Sequence, residues 1–123
     1  MSKKPRFLMC ICTGQCPGFK SLDLWELINT VRQEMDVEYA IVHPQLCVDD
    51  GDRFLKDFIK DENELYIIGA CDPKMQIKMM KDAFQEAGGD FKKQAIPLDL
   101  RNLTTEQAID KVRKAVESIK QTS

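Results

Sequence analysis

Residues 64–89 read "ELYIIGACDPKMQIKMMKDAFQEAGG", and this stretch predicts a buried strand followed directly by a helix. Apolar residues fill the first part almost without interruption, which is typical of a strand covered on both faces. Asp72 is a good N-cap and Pro73 suits the first helical position, whereas Gly88 and Gly89 suit the end of a helix. The stretch therefore predicts one strand–helix unit of an α/β fold.

The same order of strand and helix repeats along the rest of the chain. Further strands are predicted in "RFLMCIC" (6–12), "VEYAIVH" (37–43) and "FKKQAIPLDL" (91–100), and further helices at 21–35, 49–61 and from 104 onward. Asp23 with Glu26, and Thr104 with Gln107, have the spacing of capping boxes. Pro97 favours an edge position for the end of the last strand.

Alternating strands and helices predict a three-layer α/β/α fold around a parallel sheet. Right-handed crossovers limit the topology, and we expect four strands in the order 2-1-3-4, as in half of a Rossmann or flavodoxin-like fold. A length of 123 residues suits a single domain spanning 1–123. Helical spacing also predicts that Trp25 and the methionines Met75, Met79 and Met80 pack in the core.

Charge and hydropathy exclude several classes of function. The chain has 18 basic and 20 acidic residues, so its net charge of −2 gives no reason to expect nucleic acid or an anionic membrane as a partner. No apolar run approaches the roughly 20 residues that cross a bilayer, and the N-terminus does not resemble a signal peptide. We therefore expect a cytoplasmic protein, in which thiols stay reduced and five cysteines indicate metal or redox chemistry.

All the cysteines fall at or just beyond the carboxyl ends of the first three predicted strands. They are Cys10, Cys12, Cys16, Cys47 and Cys71. Neighbouring strands lie about 4.8 Å apart, and open α/β sheets bind ligands at this edge. The sequence therefore predicts one shared site formed by three loops, at 10–18, 44–51 and 69–73.

Thiolate ligands suit either zinc or an iron–sulfur cluster. Structural zinc sites usually use two closely spaced ligand pairs, but here only Cys12 and Cys16 have that spacing, and the one histidine, His43, has no partner at helical spacing. Ligands spread over several loops favour a cluster, which needs a wider set of ligands.

Glycines and helix starts beside the cysteines support the same prediction. Gly14, Gly51 and Gly69 would let the backbone approach the bound group and donate N–H groups to it. Helix N-termini near Asp50 and Asp72 would favour negative charge at the site. The glycines are therefore candidate cofactor-binding residues.

Three stretches, "FLMCIC", "LCVDDGDRFLKDFIKD" and "ELYIIGACDPKMQIKMMKDAFQEAGGD", resemble the N-terminal domain of the heterodisulfide reductase A subunit. The family's motifs are matched by Cys10 with Cys12, by Cys47 with Gly51, and by the run 70–73, Ala-Cys-Asp-Pro. The resemblance implies a free-standing version of that iron–sulfur domain with a cluster of the 4Fe–4S type. It also implies electron exchange with a flavin or iron–sulfur subunit of such an oxidoreductase in anaerobic metabolism.

The chain departs from the family pattern at several positions. Thr13 stands where a glycine usually follows the C-x-C pair, with Gly14 displaced by one, and Cys16 is additional. Cys10 and Cys16 are therefore alternative fourth ligands. The family's Asn-Ile-Arg stretch and its cysteine are reduced to "LDLRNLTTEQA", in which Arg101 is a remnant. No G-x-G-x-x-G motif is present, so flavin chemistry is not expected of this chain alone.

Two other functions fit the same cysteines. A thiol or persulfide redox carrier would use the C-x-C pair, Cys10 and Cys12, without a metal. A metal-free docking module would recruit a reductase and tolerate loss of the cysteines. The sequence contains no pattern typical of a catalytic dyad or triad, so we expect a protein that transfers electrons and has no catalytic residues.

Overall fold

The computed structural model describes residues 4–11, 17–59, 63–70 and 73–122, with side chains as far as residue 119. The strands in these ranges are β1 Arg6–Cys10, β2 Tyr39–His43, β3 Tyr66–Ala70 and β4 Ala95–Asp99. The helices are α1 Leu24–Glu34, α2 Asp49–Phe58, α3 Pro73–Glu86, α4 Phe91–Gln94 and α5 Thr105–Thr122, with a short 3-10 helix at Pro17–Phe19. None of these helices combines the length and the hydrophobicity that crossing a bilayer requires.

The strands form one parallel sheet in the order β2-β1-β3-β4, which confirms the predicted order. β1 is an inner strand, with Leu8 opposite Ile41 on one side and Ile68 on the other. Pro97 lies opposite Ile68 in β4, the edge strand that the sequence predicts for it. Proline is tolerated there because an edge strand has one side without ladder hydrogen bonds.

Helices cover both faces of the sheet. Successive side chains of a strand point to opposite faces. Phe7, Met9 and Ile67 pack with α1 and α5, whereas Leu8 and Ile68 pack with α2 and α3. These five side chains are completely buried. The predicted α/β/α architecture is therefore confirmed, with a separate apolar core on each face.

Hydrogen bonds from capping side chains confirm two of the predicted helix starts. At α1, the backbone N–H of Glu26 donates to Asp23 Oδ1 over 3.1 Å. At α5, Gln107 N–H donates to Thr104 Oγ1 over 3.2 Å, and Thr104 N–H donates to Gln107 Oε1 over 2.9 Å. This reciprocal pair is a capping box, which satisfies backbone donors that the first helical turn leaves unpaired.

The predicted fourth strand begins too early. Residues Phe91–Gln94 form the short helix α4, and the strand starts at Ala95. The side chain of Asp90 accepts a hydrogen bond from Lys92 N–H over 3.0 Å, and the backbone N–H of Asp90 donates to Gln94 Oε1 over 3.0 Å. These local side-chain contacts stabilise a helical turn where the apolar pattern alone suggested extended chain.

Two predicted core residues point outward. Trp25 is 67% exposed and Met75 is 47% exposed, although Met80 is fully buried as predicted. Leu27 belongs to the buried side of α1. Trp25 is two residues before it, so it lies about 200° away around the helix. In the first turn of α3, Gln76 takes the buried position next to Met75.

Candidate metal centre

The last residues of the four strands, Cys10, His43, Ala70 and Asp99, define the carboxyl edge of the sheet. The chain leaves β1 toward β2 along one face and leaves β3 toward β4 along the other. The crossovers therefore diverge between β1 and β3, which is where open α/β sheets form a ligand crevice. Cys10 lies directly beside this position.

Two of the predicted cysteine ligands lie within the described residues. These are Cys10 and Cys47, whereas Cys12, Cys16 and Cys71, together with Gly14, fall outside them. Within the described ranges, no three histidine, cysteine or acidic side chains form a group that could hold a metal ion. The ligand set that the sequence predicts therefore stays a prediction.

The Cys10 sulfur connects the first loop to the second. Its side chain is 8% exposed and lies on the face covered by α2 and α3. The backbone N–H of Leu46 donates to Cys10 Sγ over 3.4 Å. Cys47 is the next residue along the chain, so the loop that carries Cys47 packs directly against Cys10.

The second described thiol is exposed. Cys47 lies two residues before α2 begins, and its Sγ accepts a hydrogen bond from Gln45 Nε2 over 3.4 Å. N–H donors directed at cysteine sulfur stabilise the negative charge that a thiolate ligand carries. Both described sulfur atoms therefore accept a hydrogen bond from an N–H group, as the sulfur ligands of clusters do.

His43 holds the loop between β2 and α2. Its Nδ1 accepts the backbone N–H of Gln45 over 3.0 Å, and its Nε2 lies 3.4 Å from Asp50 Oδ2. The ring packs against Phe54, with centroids 5.0 Å apart. A neutral imidazole with its proton on Nε2 satisfies both contacts. The sequence showed only that His43 has no partner for a zinc site, and no local signal reveals its contacts with Gln45 and Asp50.

Gly51 is a position at which a side chain cannot fit. A Cβ atom there would lie 2.4 Å from the carbonyl oxygen of Leu46 and 2.6 Å from that of Gln45. The first turn of α2 thus presses against the same loop that donates to Cys10. Gly51 therefore lets α2 lie close to the backbone of residues 45 and 46. That Gly51 also contacts a bound group stays a prediction.

Gly69 is packed in a similar way within β3. A Cβ atom there would lie 2.7 Å from Leu100 Cδ1 and 3.0 Å from Met9 Sδ. These neighbours belong to the core between the sheet and α1 and α5. The absence of a side chain at Gly69 lets this core close beneath the carboxyl edge.

The start of α2 has no side-chain cap. The helix begins at Asp49 with Val48 as its N-cap, and Val48 offers no side-chain hydrogen bond. Asp49, Asp50 and Asp52 lie in the first turn. Acidic residues stabilise a helix N-terminus through its dipole, but they also make this part of the carboxyl edge negative.

A segment after β4 holds the other two loops at their described ends. The backbone N–H of Leu100 donates to the carbonyl oxygen of Ala70 over 3.1 Å, directly before Cys71. The N–H of Asn102 donates to the carbonyl oxygen of Gly18 over 2.6 Å, where the first loop returns to the body of the protein. Residues 100–102 therefore hold the described ends of both loops.

Arg101 is the charged member of this segment. Its Nε and a terminal nitrogen donate to the two carboxylate oxygens of Asp99 over 3.0 and 2.8 Å. Its aliphatic stem lies against Gly18, where a Cβ atom would be 2.9 Å from Arg101 Cγ. The arginine that the family resemblance left as a remnant thus contacts the end of the first cysteine loop.

An Asp99→Asn variant is expected to lose about 1 kcal/mol of stability at neutral pH. The hydrogen bond from Arg101 lowers the pKa of Asp99 below its ordinary value of 3.8. A lowered folded-state pKa stabilises the fold above the ordinary pKa, and this contribution disappears as the pH falls through the folded value. Urea unfolding at several pH values should show the two proteins converging below about pH 4; an equal difference at all pH values would contradict this.

Curated proteins similar to this chain include A subunits of heterodisulfide reductases. The CoB–CoM heterodisulfide reductase iron–sulfur A subunit of Methanocaldococcus jannaschii is 27% identical over 90 residues, covering 72% of this chain and 13% of the relative. The iron–sulfur A subunit numbered 1 of the same reductase in Methanopyrus kandleri is 28% identical over 69 residues, covering 55% and 10%. The A subunit of the H2/formate:CoB–CoM heterodisulfide, ferredoxin reductase of Methanococcus maripaludis is 29% identical over 82 residues, covering 65% and 12%.

These similarities are distant and concern a segment of much longer proteins. The chain spans between 10% and 13% of the length of the relatives it matches. No family model matches the chain. The comparisons therefore indicate a distant relationship to part of the heterodisulfide reductase A subunit, in agreement with the resemblance carried by the cysteine motifs.

Proposed function

We propose that this protein is an iron–sulfur electron-transfer subunit that serves an oxidoreductase of the heterodisulfide reductase type. The observation that carries the proposal is the hydrogen bond from Leu46 N–H to Cys10 Sγ. It brings the loop that carries Cys47 against the end of β1, at the edge where the other cysteine loops begin. The names of the relatives, two of which are called iron–sulfur subunits, support the same class of protein.

The proposed ligands are Cys12, Cys47 and Cys71, with Cys10 or Cys16 as the fourth. Cys10 is favoured because its sulfur faces the loop that carries Cys47. The donor set fits a cluster, since soft thiolates with N–H donors directed at sulfur are its usual surroundings. A bound 4Fe–4S cluster would supply reversible one-electron chemistry.

The described residues would position the thiols and control the charge around them. His43 holds the second loop through Gln45. The hydrogen bonds to Cys10 and Cys47 come from within that loop. Hydrogen bonding to sulfur, burial and nearby charge are the means by which a protein sets the reduction potential of such a centre. The partner proposed is a flavin or iron–sulfur subunit in the cytoplasm.

Anaerobic reconstitution with ferrous iron and sulfide, followed by stepwise reduction with dithionite, tests this function. We expect a visible absorption that bleaches on reduction and returns on reoxidation, with one electron taken up per cluster. A protein that stays colourless and instead shows titratable thiols with two-electron disulfide chemistry would favour the thiol or persulfide carrier. A protein with neither property, which still binds a reductase after its cysteines are replaced, would be a docking module.

A further inference from the structure

Three exposed apolar side chains lie at helix starts on the carboxyl side of the sheet. Among the described residues, the large hydrophobic side chains that are exposed are Trp25 at 67%, Met75 at 47%, Val48 at 40% and Tyr39 at 38%. Trp25 and Met75 lie in the first turns of α1 and α3, and Val48 is the N-cap of α2. Helices that follow parallel strands begin where those strands end. Three of the four therefore lie at the edge that carries Cys10 and Cys47.

Tyr39 is the exception. It is the first residue of β2, so it lies at the opposite end of the sheet. It also contacts the ring of Phe58 and the guanidinium of Arg6, at 6.1 and 5.7 Å between centres. Its exposure is thus partly offset by contacts within the chain, and it provides an internal comparison for the other three residues.

Val48 is an unfavourable choice at its position. Serine, threonine, aspartate or asparagine at the N-cap would accept a hydrogen bond from the first turn of α2, whereas valine cannot. The residue therefore gives up a local stabilisation while exposing apolar surface. Departures of this kind from local preference are typical of positions kept for binding.

The same edge is acidic. The first helical turns contain Glu26 in α1, Asp49, Asp50 and Asp52 in α2, and Glu106 in α5. Basic side chains also lie there: Lys74 in the first turn of α3, and Arg101 and Lys111, both of which contact Asp99 at the end of β4. A second copy of the chain docked symmetrically on this edge would bring like charges together. The charge therefore favours a different protein with a basic surface.

We propose that the apolar side chains Trp25, Val48 and Met75, with the acidic first turns around them, form the docking surface for the redox partner. This inference rests on the proposed function and adds the chemistry of the partner, whose matching surface is apolar at its centre and rimmed by lysine or arginine. Exposed tryptophan is the residue type most often found to dominate binding energy in such interfaces. Docking here places the partner beside the end of β1 and the loop that carries Cys47.

Cytochrome c is a suitable probe because basic side chains surround its exposed haem edge. Its affinity for the anaerobically purified protein would be measured by calorimetry at low and high salt, with iron content determined in every sample. We expect binding that weakens as salt rises, and a five- to tenfold loss of affinity, roughly, for Trp25→Ala with unchanged iron. Tyr39→Ala is the matched control and should bind as the parent does.

The outcomes separate docking from cluster binding. Equal loss of affinity in Trp25→Ala and Tyr39→Ala, or tighter binding of an acidic flavodoxin than of cytochrome c, would overturn the docking proposal. Self-association that Trp25→Ala abolishes, without binding to cytochrome c, would overturn it in favour of a second copy. Absence of iron in every sample would count against the proposed function alone, because the affinities would still test the surface.

Discussion

A Cys47→Ser variant is expected to fold normally and to lose its iron. The Cys47 side chain is exposed, so replacing sulfur with oxygen removes no core packing. Serine is a poor ligand for iron that thiolates hold, and an incomplete ligand set binds a cluster weakly. Iron analysis after anaerobic purification should fall to background, while far-ultraviolet circular dichroism and the urea midpoint should match those of the parent.

The matched control for this loss is Gln45→Ala. It removes the amide that donates to Cys47 Sγ but leaves every cysteine in place. We expect it to retain iron with a shifted reduction potential, because one hydrogen bond to sulfur is lost. Full iron content in Cys47→Ser would remove this residue from the site.

Comparing Cys10→Ala with Cys16→Ala would then decide the fourth ligand, and we expect Cys10→Ala to lose more iron.

A Gly51→Ala variant is expected to destabilise the protein by about 2 to 4 kcal/mol. The added Cβ would lie 2.5 Å from Leu46 Cα and 2.4 Å from its carbonyl oxygen, and backbone atoms cannot rotate away. The loop that donates to Cys10 must therefore move. Iron binding should weaken along with stability, as measured by urea unfolding and iron analysis.

The sign of the stability change in Gly51→Ala tests whether α2 packs against the loop. In a helix without such a contact, replacing glycine with alanine stabilises the fold by about 1 kcal/mol. Stabilisation by Gly51→Ala would therefore contradict the packing of α2 against the loop. Gly88→Ala is the control: nothing lies within 4 Å of a Cβ there, but its φ of +85° disfavours alanine. We expect it to cost about 1 kcal/mol without loss of iron.

Most of the architecture follows from local signals that the sequence displays. The pairs of residues at the starts of α1 and α5 are fixed by hydrogen bonds across three positions, which sequence spacing reveals. Right-handed crossovers limit the order of the strands to a few choices, and the observed order is one of them. By contrast, α4 depends on how Asp90 and Gln94 bond to each other, and periodicity does not detect such contacts.

The pattern of apolar residues also fails to predict that Trp25 is exposed. Such a pattern identifies apolar helix residues but does not decide which of them lie outside the buried stripe, and a large aromatic residue in such a pattern is usually assigned to the core. A hydrophobic residue used for binding is the case in which this assignment fails, because its burial depends on a second molecule.

The sequence predicts an edge of the sheet for the candidate site, but it does not predict the contacts that the structure shows around Cys10 and Cys47. Parallel strands bring their carboxyl ends together, so cysteines that follow successive strands are expected at one edge. The bond from Leu46 to Cys10 and the packing of Arg101 against Gly18 join residues 36 and 83 positions apart. Such contacts depend on how loops that are distant in sequence pack against each other at the edge of the sheet, which no local pattern specifies.

The central claim is that cysteines from separate loops bind one iron–sulfur cluster, and its most direct test is the metal content of the protein purified without oxygen. Iron and acid-labile sulfide should be present in equal amounts, and both should vanish together when Cys47 is replaced by serine. The account would be contradicted by a protein that unfolds cooperatively but is colourless, contains no iron or sulfide, and remains colourless and iron-free after reconstitution.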